Sequence, residues 1–237
     1  MPIAGLDAPN GRKRRKNRRK TTRIPVPQSV SQTLDAALDK AIEVQAPRVA
    51  GYVERLARAN PQAGPEELLR LLERRYLRAV AAIGAAAGAG AALPGLGTAA
   101  SLSTAALEIT AFVEATALFA LSAARVYGVH NRDPLYLRSL VLGTLVGGVG
   151  VDITEQVAGA KARWGEVLAR RGSKESLGHV NSMLARHLIA RVGTRQGALT
   201  LGRALPFGIG AGIGAAGNLA LARASIAAVR QAFGASA

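Results

Sequence analysis

From Ala79 to Leu107 the chain runs for 29 residues without a charge, AVAAIGAAAGAGAALPGLGTAASLSTAAL. A helix on the surface of a globule needs polar positions for its wet face, so a run like this is either buried on all sides or meets an apolar surface. The Leu93-Pro94-Gly95-Leu96-Gly97 stretch is a turn signal and divides the run into two helices. A second uncharged run, 19 residues from Ala204 to Ala222, opens on a similar ALPFGIG. No segment alternates with the period of a strand between hairpin turns. The pattern therefore predicts an all-α fold of about eight helices, a compact multi-helix bundle with glycine-zipped apolar hairpins.

The second run contains a G-x-G-x-x-G from Gly212 to Gly217, the spacing of a dinucleotide-binding loop. That chemistry needs a buried strand before the motif and an acid about 20 residues after it. An Arg and a Pro precede it, and no Asp or Glu follows it. A packing role fits better. Gly208 and Gly212, Gly210 and Gly214, Gly84 and Gly88, and Gly143 and Gly147 are each four apart. On a helix, each such pair forms a bare ridge on which another helix can approach closely. Each Gly costs about 1 kcal/mol of helix propensity relative to Ala, which tight contacts must offset.

The net charge of +16 is concentrated at the N-terminus. Arg12, Lys13, Arg14, Arg15, Lys16, Arg18, Arg19, Lys20 and Arg23 place nine positive charges within twelve residues, and the 62 residues after Glu175 carry no acid. This balance points to a polyanionic partner, either anionic membrane lipid or nucleic acid. The arm has no aromatic residue for stacking bases, so its contact with nucleic acid would be to phosphates. Polar TTRIPVPQ follows the arm where a secretory signal would have an apolar core, so the cytoplasmic side is expected. The absence of cysteine excludes disulfides and thiol chemistry.

The chain divides into a disordered basic tail (1–27), amphipathic N-terminal helices (28–73) and a glycine-rich helical domain (74–237). A helix is expected from Val30 to about Ala59, broken or kinked at Pro47. Gly64 and Pro65 begin the next helix, with Glu66 and Glu67 in its first turn. Tyr127-Gly128 closes a later one, and Asp133 caps a helix whose first residue is Pro134. None of the uncharged segments is a full bilayer span by length and hydropathy together, though Ala204–Ala222 comes nearest. They read as close-packed helix pairs with an apolar tip, embedded in one leaflet or docked on it.

The order of these turns resembles the EcsC family of bacterial membrane-associated proteins, over roughly Arg74 to Phe233. The matching positions are Pro94, Gly95 and Gly97; Glu108; Tyr127 and Gly128; Asp133 and Pro134; and Pro206, Gly208, Gly212 and Asn218. Glu108 departs from the family's more usual Asp. The resemblance implies membrane association and no assigned reaction, cofactor or catalytic residue.

Little else suggests chemistry. His130, His179 and His187 show no metal-binding spacing, and no phosphate-loop or nucleophile-elbow motif is present. Glu108 and Glu114 lie six residues apart on one helix, pointing about 120° apart. With Asn218 they form a candidate polar site inside an apolar helix pair. They act as a buried lock or ligand-sensitive site, or face a groove and pair with an Arg such as Arg78 or Arg125.

Three function classes follow. The first is a non-catalytic binding or scaffold protein on the cytoplasmic face of the membrane. It would engage anionic lipid through the arm, and lipid, a membrane-protein partner or a second copy through the apolar helices. The second is a nucleic-acid-binding protein with the body as an oligomerisation platform. The third is a lipid-directed enzyme working through Glu108 or Glu114. No cofactor and no metal is expected.

Overall fold

In a computed structural model, residues 28–91, 98–159, 163–203 and 209–235 are described. They form eight helices and no strand: α1 (Gln28–Ala59), α2 (Pro65–Ala91), α3 (Thr98–Val126), α4 (Pro134–Val146), α5 (Gly148–Ala158), α6 (Trp164–Arg171), α7 (Lys174–Arg203) and α8 (Ile209–Phe233). The basic arm, Pro94, Pro206 and Gly208 lie outside the described residues.

Local signals set most helix boundaries. Asp133 caps α4, its Oδ1 accepting from the backbone N–H of Leu135 at 2.8 Å and of Tyr136 at 3.2 Å. Pro134 follows it at a position where the missing N–H is not needed. Pro47, where a break or kink is expected, does not end α1. The helix continues through it because Leu34, Leu38, Val49, Val53 and Leu56 lie buried along one side. That burial outweighs the one backbone hydrogen bond the proline omits.

A second expectation is corrected at Gly147. Gly143 and Gly147 do not form a ridge on one helix, because α4 stops at Gly147, whose φ is +71°. The chain turns there into α5, with Gly147 seated against Ala224 of α8. Gly143 remains a point of close approach: a Cβ on it would meet Cη2 of Trp164 at 2.7 Å. Trp164 is wholly buried, its indole N–H donating to the Ala228 carbonyl at 3.3 Å. Residue 73, expected to end an N-terminal unit, lies inside α2, and one hydrophobic core joins α1 and α2 to the later helices.

Named contacts give the helix directions. Glu66 near the start of α2 accepts from the Tyr127 hydroxyl at 3.3 Å, and Tyr76 bonds Thr116 at 2.8 Å, so α2 and α3 are antiparallel. Asn218 of α8 meets Glu108 and Phe233 stacks on Tyr127, so α8 runs parallel to α3 and antiparallel to α2, whose Glu73 is gripped by Arg230 with two contacts of 2.8 Å. A short turn at 60–64 leaves the end of α1 beside the start of α2, and Glu54 near that end faces Arg125 near the end of α3 at 3.7 Å, so α1 runs parallel to α3. Helix α7 starts beside α6, bonds α4 through Asn181 and Ser139 (2.9 Å), and ends five residues before α8.

The bundle thus has two unlike ends. At one, the start of α2 meets the ends of α1, α3 and α8, together with α6. Arg230, Glu66, Glu73 and Tyr127 join there, and the Tyr127 and Phe233 rings stack with centroids 5.6 Å apart. Burial, with Glu66 adding to it, pushes the Tyr127 hydroxyl up to about 12. The opposite end gathers the start of α1, the end of α2, the starts of α3 and α8, and the end of α7.

Candidate functional site

That opposite end is where the uncharged runs come together. On α2 the run begins after Arg78, on α3 it lasts until Glu108, and on α8 it lasts until Arg223. These three helices pack on one another, so separate stretches of sequence become one apolar end. Its exposed side chains include Ala82, Ala85 and Ala86 on α2, Leu107 on α3, and Ala216 and Ala220 on α8. Leu107 is 70% exposed and is the one exposed large hydrophobic among the described residues. None of these exposed positions carries a charge.

The apolar surface is one-sided. On α1, Asp35 pairs with Arg138 of α4 at 2.7 Å, and Asp39 pairs with the same guanidinium. The contact of Glu54 with Arg125 puts these acids level with residues 106–110 of α3, so charge returns on the α1 flank. Arg191, Arg195 and Arg203 fall in the last turns of α7, and the basic arm joins the bundle at the start of α1.

Glu108 and Asn218 meet at the base of the apolar end. The Asn218 amide donates to Glu108 Oε1 at 3.0 Å, across 110 residues of sequence. Asn218 is 2% exposed and Glu108 is half-buried. At about 1.5 Å per residue, the pair lies about 14–15 Å from the starts of α3 and α8. Gly84 is buried at the same level of α2, as the Tyr76–Thr116 register requires. Glu114 is half-buried and has no hydrogen bond or ion pair with a described residue. Two of the three candidate polar residues are therefore joined and the third is apart.

No protein-family model, curated protein or solved structure matches this chain.

The remaining expected site residues are placed as follows. Gly88, Gly210, Gly212 and Gly214 lie within α2 and α8, their surroundings outside the described residues. The G-x-G-x-x-G is helix interior, not a loop after a strand. Arg125 pairs with Glu54, whereas Arg78 is exposed and has no acidic partner among the described residues. His130, His179 and His187 are exposed, and no three His, Asp or Glu side chains among the described residues could hold a metal together. A cleft beside Arg125, His130 and Arg132 has a volume of about 80 Å³, room for a few waters and not for a metabolite.

Among the described residues one stretch, Leu107–Val126, is long and apolar enough to cross a bilayer, with mean hydropathy 1.5 over an 18-residue window. Half of it is buried inside the bundle, as in the core helix of a globular protein. The sequence had favoured Ala204–Ala222, whose first five residues lie outside the described set.

Proposed function

We propose that this chain is a non-catalytic docking or scaffold protein of the cytoplasmic membrane face. Its basic arm holds an anionic leaflet while the apolar ends of α2, α3 and α8 enter it. One observation carries the reading: the uncharged segments of three helices and the attachment point of a nine-charge arm share one end of the bundle. Neither element suffices alone. The alanine-rich surface offers little transfer energy per residue, and the arm offers attraction without depth, about 1 kcal/mol per charge near the surface.

The lengths agree with entry into a single leaflet. The uncharged part of α2 from Ala79 to Ala91 is about 20 Å long, and that of α8 from Ile209 to Ala222 about 21 Å. Half of a bilayer is about 20–22 Å with headgroups included. The resemblance to the EcsC family, carried by the Pro-Gly turns, supports the same proposal.

Membrane fractionation tests it. The full-length protein is expected to sediment with membranes, to survive a high-salt wash in part, and to lose its salt-sensitive fraction when residues 1–27 are deleted. Complete recovery in the soluble fraction, with no flotation on phosphatidylglycerol vesicles, would falsify the proposal. Steeply salt-dependent binding to duplex DNA by such a protein would assign the arm to nucleic acid instead.

A further inference from the structure

The lower border of the apolar end is marked by arginine on both helices that flank it. Arg78 is the last charge of α2 before its uncharged run, and Arg223 is the first charge of α8 after its own. Because α2 and α8 are antiparallel with Glu73 opposite Arg230, Arg78 and Arg223 fall at the same height. Arg70 and Arg74 continue the α2 series at four-residue intervals, on one exposed face. All four are exposed, and none has an acidic partner among the described residues.

Arg230 has Glu73, Arg138 has Asp35 and Asp39, Arg163 has Glu166, and Arg125 has Glu54. Exposed Arg48, Arg55, Arg58 and Arg171 also have no acidic partner among the described residues, so what sets Arg78 and Arg223 apart is their place at the border of the uncharged runs.

We propose that Arg74, Arg78 and Arg223 form a collar that takes the phosphates of anionic lipid headgroups and sets how far the apolar end enters the leaflet. The proposal rests on the docking reading above and adds to it the recognition chemistry and the depth. Guanidinium suits the task, because its fork of donors matches phosphate oxygens two at a time. The height is also suitable. Arg78 is about 20 Å from the end of α2, and Arg223 about 21 Å from the start of α8. A leaflet's headgroup layer lies between about 15 and 22 Å from the midplane. Arg74 lies about 6 Å further out, within reach of the same layer through its long stem, and deeper entry would carry Arg78 and Arg223 into hydrocarbon, which resists them strongly. Ala82, Ala85 and Ala86, above the collar, then face acyl chain, and the long stems of the arginines cover the border.

The test compares three full-length proteins by flotation on vesicles of phosphatidylglycerol and phosphatidylcholine, and on phosphatidylcholine alone. One is the unmodified chain, one carries Arg74→Gln, Arg78→Gln and Arg223→Gln, and one carries Arg55→Gln, Arg58→Gln and Arg171→Gln at the clamped end. The two variants lose the same charge from exposed positions. The collar variant is expected to partition about 100-fold more weakly onto the anionic vesicles, following the usual contribution per basic residue near a charged surface. The far-end variant is expected to stay within a few-fold of the unmodified chain. Equal weakening of the two variants overturns the collar, because net charge alone then explains binding, and so does binding unchanged in both. Absence of vesicle binding by the unmodified chain overturns the docking reading itself, which separates the two failures. Depth gives a second readout. The chain has no cysteine, so Ala82→Cys accepts a single environment-sensitive dye. Its emission is expected to shift to the blue on anionic vesicles, and a dye that stays in water overturns the assigned depth.

Discussion

Replacing Gly143 with alanine adds one methyl group at the most crowded described point of α4, and its effect can be worked out from the distances around it. In open helix the change would stabilise the fold by about 1 kcal/mol, because alanine is the better helix former. Here the new Cβ stands 2.7 Å from Cη2 of Trp164 and 3.2–3.3 Å from two more ring carbons. The ring has no free side to move to. It is wholly buried, and its N–H is bonded to the Ala228 carbonyl. On the other flank, the Gly143 carbonyl lies 2.6 Å from where a Cβ on Gly150 would be, so α5 is already in close contact with α4. Overpacking of this kind costs about 1–3 kcal/mol, which exceeds the propensity gain. The expected net loss is about 1 kcal/mol, a fall of roughly 2–4 °C in Tm for a chain of this size. Gly178→Ala is the matched control, a helical glycine of α7 with nothing within 4 Å of its would-be Cβ. It should raise Tm by a similar amount. Thermal unfolding followed by circular dichroism decides the matter. If Gly143→Ala stabilised the protein as Gly178→Ala does, the Trp164 contact would not limit the packing and the reasoning from distances would fail.

Three further outcomes are expected. Asn218→Ala removes the donor that meets Glu108 and should cost about 1.5–3 kcal/mol of unfolding free energy by urea titration, whereas Glu108→Gln keeps an acceptor oxygen in place and should cost less than half as much. Asp133→Ala deletes the α4 cap and should lower stability by about 0.5–2 kcal/mol in the same assay. Tyr127 links stability to alkaline pH. Its hydroxyl is raised from 10.0 to about 12, so the fold favours the neutral form, and that stabilisation is complete below pH 10 and lost as pH rises through 12. Tyr127→Phe should therefore flatten the fall in stability across that interval, and an unchanged slope would place the linkage elsewhere.

The helices were legible because their signals are local. Asp133-Pro134 and Gly64-Pro65-Glu66-Glu67 act within one turn, and the structure begins α4 and α2 at those prolines. Glu108 and Asn218 also stood out separately, as polar groups inside apolar runs. Their pairing did not, since it depends on the parallel register of α3 and α8 over 110 positions. Gly147 shows a different limit. Four-residue glycine spacing looks the same whether the second glycine continues a ridge or ends the helix, and only its positive φ and the seat against Ala224 decide which. At Pro47 the expected break does not occur, because apolar burial on both sides of it outweighs the local breaker. Arg78 was read as a possible partner for a carboxyl, yet it faces water, since which side of α2 is covered depends on where α8 lies.

Among the described residues, the concentration of ion pairs and stacked rings at one end of the bundle grades its resistance to opening. Along α8, Arg230 and Phe233 are tied to α2 and to Tyr127, while Asn218 has its hydrogen bond to Glu108. Backbone amides of that single helix are therefore expected to exchange with solvent deuterium at rates that quicken from Phe233 towards Ile209. A bundle graded in this way has a built-in fulcrum. The ends of α2, α3 and α8 can part from one another while the clamped end stays assembled, so a partner that takes up the loosened end needs to supply only the free energy of local opening and never that of unfolding the whole.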